Sequence, residues 1–444
     1  MSHTSDTESR RNDRADRSDG HWSTALRVAS IVTALATVSV VARAEGENRF
    51  GSWTVAVAAV GGLLILDLGL GNALVRTTGR LRAAGQREHA LDLLATGRRR
   101  AARRISGPIA AIGVAGAVIA AATGTHTDSL DTSDLWTTIL AVGLVAPALA
   151  LLGMAAKVRT GLGEIRQSST FGIIGCIAQL AVVALGVAAS LPLGALVAAN
   201  FTSQLVGWGL DSFALRRQPD HPPTPTPDDE LLVAGRRFQV LTIAGYAGFN
   251  ADALLVGAIV SPAAAGLVGL AARVVLTPQI VVTAWFSPRW GSIARTEVEA
   301  PDQVRPLVLR TIGWAGATTA AVSVVAGLIA QPVVDVIAGS NYTLSTGLVW
   351  ATVAAGVVLG IASAIAFVMN GLGLVSAQLR LAVASAAANI AIGALLCLRI
   401  GAVGAPLATA LAHGLIGIPM AAIAVHARLQ DPPVHASRTT EAAR

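Results

Sequence analysis

Two residues with opposite charge sit where charge is expensive. Asp252 lies about ten residues before the Ser261-Pro262 turn and Arg273 about eleven after it, both inside apolar runs. At about 1.5 Å of rise per helical residue they reach nearly one depth. An earlier stretch repeats the arrangement with the signs exchanged: Arg27 and Asp67 stand equally far from a turn near Glu47. Ionisable groups at the centre of a membrane helix cost about 2.5–3.5 kcal/mol each on insertion scales, so they are buried, paired or functional. Guanidinium groups in such a place can bind phosphate oxygens bidentately, while the carboxylates hold them or exchange protons on their release. The structural alternative is a pair of ion bridges locking two helical hairpins, or, for Arg27, a side chain snorkelling to the nearer surface. Arg27, Arg273 and Asn250 are the candidate substrate-binding residues, and Asp67 and Asp252 the candidate coupling or ion-pair residues.

The elements that must position these groups are apolar helices. The chain has 53% hydrophobic and 13% charged residues and a mean hydropathy of +0.62, more apolar surface than a soluble fold can hide. Spans of about 20 residues fall at roughly 22–43, 51–75, 105–124, 135–156, 170–190, 194–214, 238–260, 263–288, 307–330, 346–370, 379–400 and 404–427. The expected fold class is an all-α integral membrane protein of about 12 transmembrane helices in two pseudo-symmetric six-helix lobes. Residues 1–21 and 429–444 read as disordered polar tails, 22–215 and 238–428 as the lobes, and 216–237, with five prolines from Pro219 to Pro227, as a stiff linker. An internal repeat at an offset of 210 supports the halves. Thr160-Gly161-Leu162-Gly163 returns as Asn370-Gly371-Leu372-Gly373, Gly194-Ala195 as Gly404-Ala405, and Leu205-Val206-Gly207 as Leu415-Ile416-Gly417.

The net charge of +7 does not indicate nucleic acid. Of 33 basic residues one is Lys157, and the arginines gather in alternate loops, nine of them between Arg76 and Arg104. The positive-inside rule then puts both termini in the cytoplasm, and anionic lipid headgroups account for the cluster. Ala42-Arg43-Ala44 after an apolar run looks like a signal-peptide cleavage site, but the long charge-mixed tail favours an uncleaved first span. Cys176 and Cys397 have neither disulfide nor metal spacing. No phosphate loop, nucleophile motif, metal set or carboxylate pair in a soluble cleft is present, so neither an enzyme nor a cofactor is expected. The short outer loops also leave no room for an acceptor-holding domain. Asn250, Gln279, Gln204 and Asn200 could bond a sugar or, more commonly, a neighbouring helix. His413 reads as a packing histidine, Asp211 as an edge residue, and Trp53, Trp136, Trp285, Trp290 and Trp350 as an interfacial belt.

Local sequence adds a resemblance. Arg43-Ala44-Glu45-Gly46, Phe50-Gly51, Asp67-Leu68-Gly69-Leu70 and Arg76 resemble the first hairpin of the oligosaccharide flippases, the polysaccharide-synthase branch of the multidrug/oligosaccharidyl-lipid/polysaccharide exporter superfamily. Asp252 to Gly257, Ala264-Ala265-Gly266, Pro288, Gly339 with Tyr342, Gly371-Leu372-Gly373 and Gly401 to Thr409 are similar to later motifs, so the resemblance covers essentially 22–428. Glu45 departs from it, since the family usually has Leu there. The resemblance implies movement of a polyprenyl-pyrophosphate-linked oligosaccharide from the inner to the outer leaflet of a bacterial plasma membrane by alternating access. Arg27 and Arg273 would meet the pyrophosphate, and Asp67 and Asp252 would couple to the proton gradient or membrane potential. Membrane lipids, a polysaccharide polymerase and glycosyltransferases are the implied partners. The alternatives are a cation-coupled exporter of small amphiphiles and a non-transporting partner of a polysaccharide assembly complex.

Overall fold

The structure, a computed structural model, describes residues 3–64, 70–123, 130–215, 240, 243–246, 251–286 and 289–430. Asp67, Asn250, Pro288, the linker 216–237 and residues 431–444 lie outside the described residues. The described chain is helical, with no β-strand. It divides into two compact units, Met1–Ile243 and Ala244–Arg444.

In unit 1, α1 (His3–Leu64) is broken at Gly46, whose φ of 72° and ψ of 170° leave the helical region. Glycine alone adopts this backbone without steric cost, and the break separates the first two expected spans. The first residues of α1, from His3, belong to the stretch 1–21. Then come α2 (Leu70–Ala83), α3 (Arg87–Ala101), a π-turn at Ala102–Ser106, α4 (Gly107–Thr123), α5 (Thr132–Gly161) and α6 (Ile165–Ala188). A last helix breaks at Phe201 into α7 (Leu193–Asn200) and α8 (Thr202–Ala214).

Unit 2 contains α9 (Asp252–Ile259), α10 (Pro262–Phe286), α11 (Arg289–Glu299), α12 (Pro301–Leu328), α13 (Ala330–Ala338), α14 (Thr346–Gly371) and α15 (Val375–Ile400). After Gly401, at φ 67°, follow α16 (Gly404–Leu411), a π-turn at Ala412–Gly417 and α17 (Ile418–Gln430).

Seven described helical segments are long and apolar enough to cross a membrane: His21–Leu63, Arg87–Thr123, Thr132–Gly161, Ile165–Ala188, Pro301–Leu328, Thr346–Gly371 and Val375–Gln430. The first and last of these contain the breaks at Gly46 and Gly401. The packing is that of a bilayer protein. Ile112, Leu185, Val336 and Leu398 are each 69–73% exposed, while Thr37, Ser323, Ser385 and many alanines are buried. Lipid tails solvate large aliphatic side chains as well as a core would, so helix contacts go to small residues. Between α4 and α5 a Cβ at Gly113 would lie 2.5 Å from Gly143 Cα, and the reverse holds at Gly143. Gly143→Val is expected to force these backbones apart at a cost of about 1–3 kcal/mol. Thermal unfolding in detergent checks it, and an unchanged midpoint would contradict this packing.

The 210-residue repeat reappears in hydrogen bonds. Between α5 and α6, Leu162 N–H donates to Val158 O, Gly163 N–H to Thr160 O and Glu164 N–H to Arg159 O. Between α14 and α15 the same bonds run from Leu372, Gly373 and Leu374 to Val368, Asn370 and Met369. Gly163 and Gly373 both take positive φ, 72° and 68°.

Candidate functional site

Unit 2 gathers polar groups around Asp252. α9 packs against α15 and α16, which brings the first residue of α9 to Thr409. Thr409 Oγ1 lies 3.0 Å from Asp252 Oδ1 and 3.1 Å from Asn389 Oδ1. Asn389 and Thr409 are 0% and 2% exposed. One hydroxyl proton can serve only one of those two oxygens, so the amide of Asn389 turns its NH2 inward, the carboxyl carries a proton, or a cation sits among the three oxygens. One helical turn away on each element stand Ser385 and His413, also buried. A Cβ at Gly417 would meet both, Ser385 Oγ at 2.9 Å and His413 Nδ1 at 3.6 Å. Carboxylate, carboxamide and hydroxyl oxygens are hard donors suited to a hard cation or a proton. Among the described residues no group of three His, Cys, Asp or Glu side chains could hold a metal ion.

The expected Asp252–Arg273 ion pair does not form. Asp252 is taken by Thr409, because α9 presses its first turn onto α15 and α16. Arg273, in the middle of α10, is partly buried and has no carboxylate within 4 Å among the described residues. Arg27 is exposed on α1. Its expected partner Asp67, and Asn250, fall outside the described residues. Gln279 donates to Gly356 O at 2.7 Å, which ties α10 to α14. Trp53 is no interfacial anchor: it is 2% exposed, stacks on Phe50 and donates to Leu196 O.

Unit 1 holds two ionic networks that sequence reasoning missed. At one end of the unit, Arg49 clamps Asp134 with two hydrogen bonds of 2.9 and 3.1 Å and also pairs with Glu45. Asp134 further accepts from Leu193 N–H at 2.8 Å, which joins the starts of α5 and α7. Asp131 caps α5 by accepting from Asp134 N–H and Ser133 Oγ. These bonds hold its carboxyl below the usual carboxylate range, so the cap is present above that range and is lost as pH falls through the lowered value.

At the opposite end Asp211 is not an edge residue. Arg159 and Asp211 are each 1% exposed and lie 2.9 Å apart, Nε to Oδ1. Ser168 Oγ donates to the other Asp211 oxygen at 2.9 Å. Arg159 also reaches Gln167 and Glu164 and lies 5.5 Å over the Phe171 ring. Glu164 in turn pairs with Arg87 at 2.6 Å. The available signal was the repeat itself: 210 residues on, Arg159, Glu164, Phe171 and Asp211 become Met369, Leu374, Leu381 and Ala421. All four belong to one apolar cluster of unit 2, so a charged set in one half stands where the other half has oil.

No protein-family model and no curated protein matches the sequence. Solved structures do. An inward-facing multidrug resistance MATE family transporter of the MOP superfamily matches with a TM-score of 0.68 at 12% identity, over 91% of this chain and 98% of that chain. The lipid II flippase MurJ, in an inward closed conformation, matches at 0.63 and 13% identity, over 91% and 87%. A MOP superfamily transporter from Pyrococcus furiosus, whose binding pocket is described as of reverse polarity, matches at 0.57 and 13%, over 91% and 96%. With the helices and their repeat, these likenesses make this chain a multi-pass membrane protein with the fold of the MOP superfamily transporters.

Proposed function

We propose that this protein is a flippase for a polyprenyl-pyrophosphate-linked oligosaccharide, moving it from the inner to the outer leaflet by alternating access of the two units in the service of cell-surface polysaccharide assembly. One observation carries the reading: Arg273 lies in the middle of the apolar helix α10 with no carboxylate beside it among the described residues. An uncompensated guanidinium in a membrane helix is costly, and a pyrophosphate is the anion that its planar fork fits. Such a substrate has a headgroup too polar for hydrocarbon and a tail at home in it. A cationic chamber open sideways to lipid therefore lowers the barrier without chemistry. The alternate-loop distribution of arginine supports a bacterial plasma membrane protein with both termini cytoplasmic. Asp252, with Thr409 and Asn389, is the coupling site of this reading. The decisive assay is leaflet-specific detection of the lipid-linked sugar in a deletion strain complemented with wild type or Arg273→Ala. Wild type exposes the sugar on the outer leaflet and Arg273→Ala leaves it inside; equal exposure by both overturns the reading.

The same Asp252 cluster favours a second reading, a cation-coupled exporter of small amphiphiles. Proteoliposomes separate the two. The flippase reading expects lipid-linked oligosaccharide to cross and ethidium not to cross under an imposed proton or sodium gradient. Gradient-driven ethidium movement that Asp252→Asn abolishes, with no movement of the lipid-linked sugar, would replace the first reading with the second.

A further inference from the structure

The turn between α5 and α6 shares its backbone hydrogen bonds with its repeat but not its surroundings, and the difference points to a ligand. In unit 2 a Cβ at Gly373 would meet nothing within 4 Å, whereas at Gly163 it would lie 1.7 Å from Arg82 Nη1. The guanidinium of Arg82 thus rests against the Gly163 backbone, exposed and with no carboxylate within 4 Å among the described residues. Beside it a groove of about 380 Å³ runs from Gly163 through Gln167 to Thr170 and Phe171. Arg166, also exposed, lines this groove and lies 5.6 Å over the Trp22 ring. Glu164 is the one carboxylate among the lining residues, and it is held by Arg159 and Arg87. Glu164 puts no side chain on the N–H groups of the first turn of α6, so the positive end of that helix faces the groove as well. The buried Arg159–Asp211 pair keeps this turn in place and draws Glu164 toward itself.

We propose that unit 1 binds the headgroup phosphate of an anionic phospholipid of the surrounding bilayer in this groove, between Arg82 and Arg166. A lipid is favoured over a soluble anion by what continues from the groove. Trp22 has the amphipathic ring of a membrane interface. Beyond it Val28 and Val32 on α1 and Ile174 and Ile177 on α6 are 45–66% exposed, an apolar track along which acyl chains can lie. The site does not depend on what is transported. In unit 2 Ser292 and Ser376 stand at the positions that match Arg82 and Arg166.

The test uses the purified full chain in nanodiscs of equimolar phosphatidylglycerol and phosphatidylcholine, with retained lipid counted by native mass spectrometry. Wild type is expected to retain phosphatidylglycerol selectively. Arg82→Ala and Arg166→Ala should each lower that retention about fivefold, from about 1 kcal/mol per arginine. Both side chains are exposed, so folding is spared. Thr170→Glu, which sets a second carboxylate in the groove, should lower it without removing an arginine. Equal retention of the two lipids by wild type, or undiminished selectivity in R82A/R166A and Thr170→Glu, overturns the proposal. Displacement of the lipid by inorganic phosphate at matched concentration overturns the lipid assignment in favour of a soluble anion.

Discussion

Asp211→Ala is expected to destabilise the protein by about 3–5 kcal/mol, and the double substitution R159M/D211A to recover most of that loss. Removing one partner of a buried ion pair strands the other charge, whereas replacing both by packed apolar groups is often neutral or stabilising. Arg159 and Asp211 are each 1% exposed, and among the described residues the stranded guanidinium would keep Glu164, Gln167 and the Phe171 face. The double variant copies what the protein already does in its other half, where Met369 and Ala421 pack in an apolar cluster. Thermal or denaturant unfolding in detergent measures both. A double variant as unstable as the single one would mean that this end of unit 1 needs its charges for folding, and the matching apolar packing would lose its meaning as a control.

On the proposed flippase function, Arg273→Ala is expected to slow translocation about 10- to 100-fold while the protein stays folded, because the variant would lose charge-assisted hydrogen bonds of about 1.5–3 kcal/mol to the proposed pyrophosphate. Arg273→Lys should fall between the two, since an ammonium supplies the charge without the planar fork. The exchange D252R/R273D should not rescue either single variant: Asp252 is held by Thr409 rather than by Arg273, so swapping the two restores no contact. Initial rates of leaflet exposure, normalised to protein in the membrane, read all three. Arg273→Lys at the wild-type rate would remove the requirement for the planar fork, and Arg273→Ala at the wild-type rate removes the guanidinium from the mechanism. Rescue by the exchange would reinstate the ion pair.

Much of the fold could be read along the chain, because a bilayer enforces it locally. Apolar runs must become helices when no water can satisfy the backbone, and Gly46, Gly163, Gly373 and Gly401 sit where the backbone takes positive φ. The 210-residue repeat predicted matching turns, and Leu162 to Glu164 and Leu372 to Leu374 make the same bonds. Prediction was weaker where a charge had to choose a partner. Equal depth suggested Asp252 with Arg273, but depth leaves the rotation of each helix open.

The amino-acid sequence by itself determined that this is a helical membrane protein built from a repeated half, since hydropathy and glycine spacing act over a few residues. Only the tertiary structure decided that Asp252 meets Thr409, 157 residues away, that Asp211 is sealed against Arg159, and that Arg273 has no carboxylate beside it among the described residues. The physical reason is that an ion pair depends on which helix faces touch. That is set by the packing of small residues such as Gly113 on Gly143, and not by the charges that the faces carry.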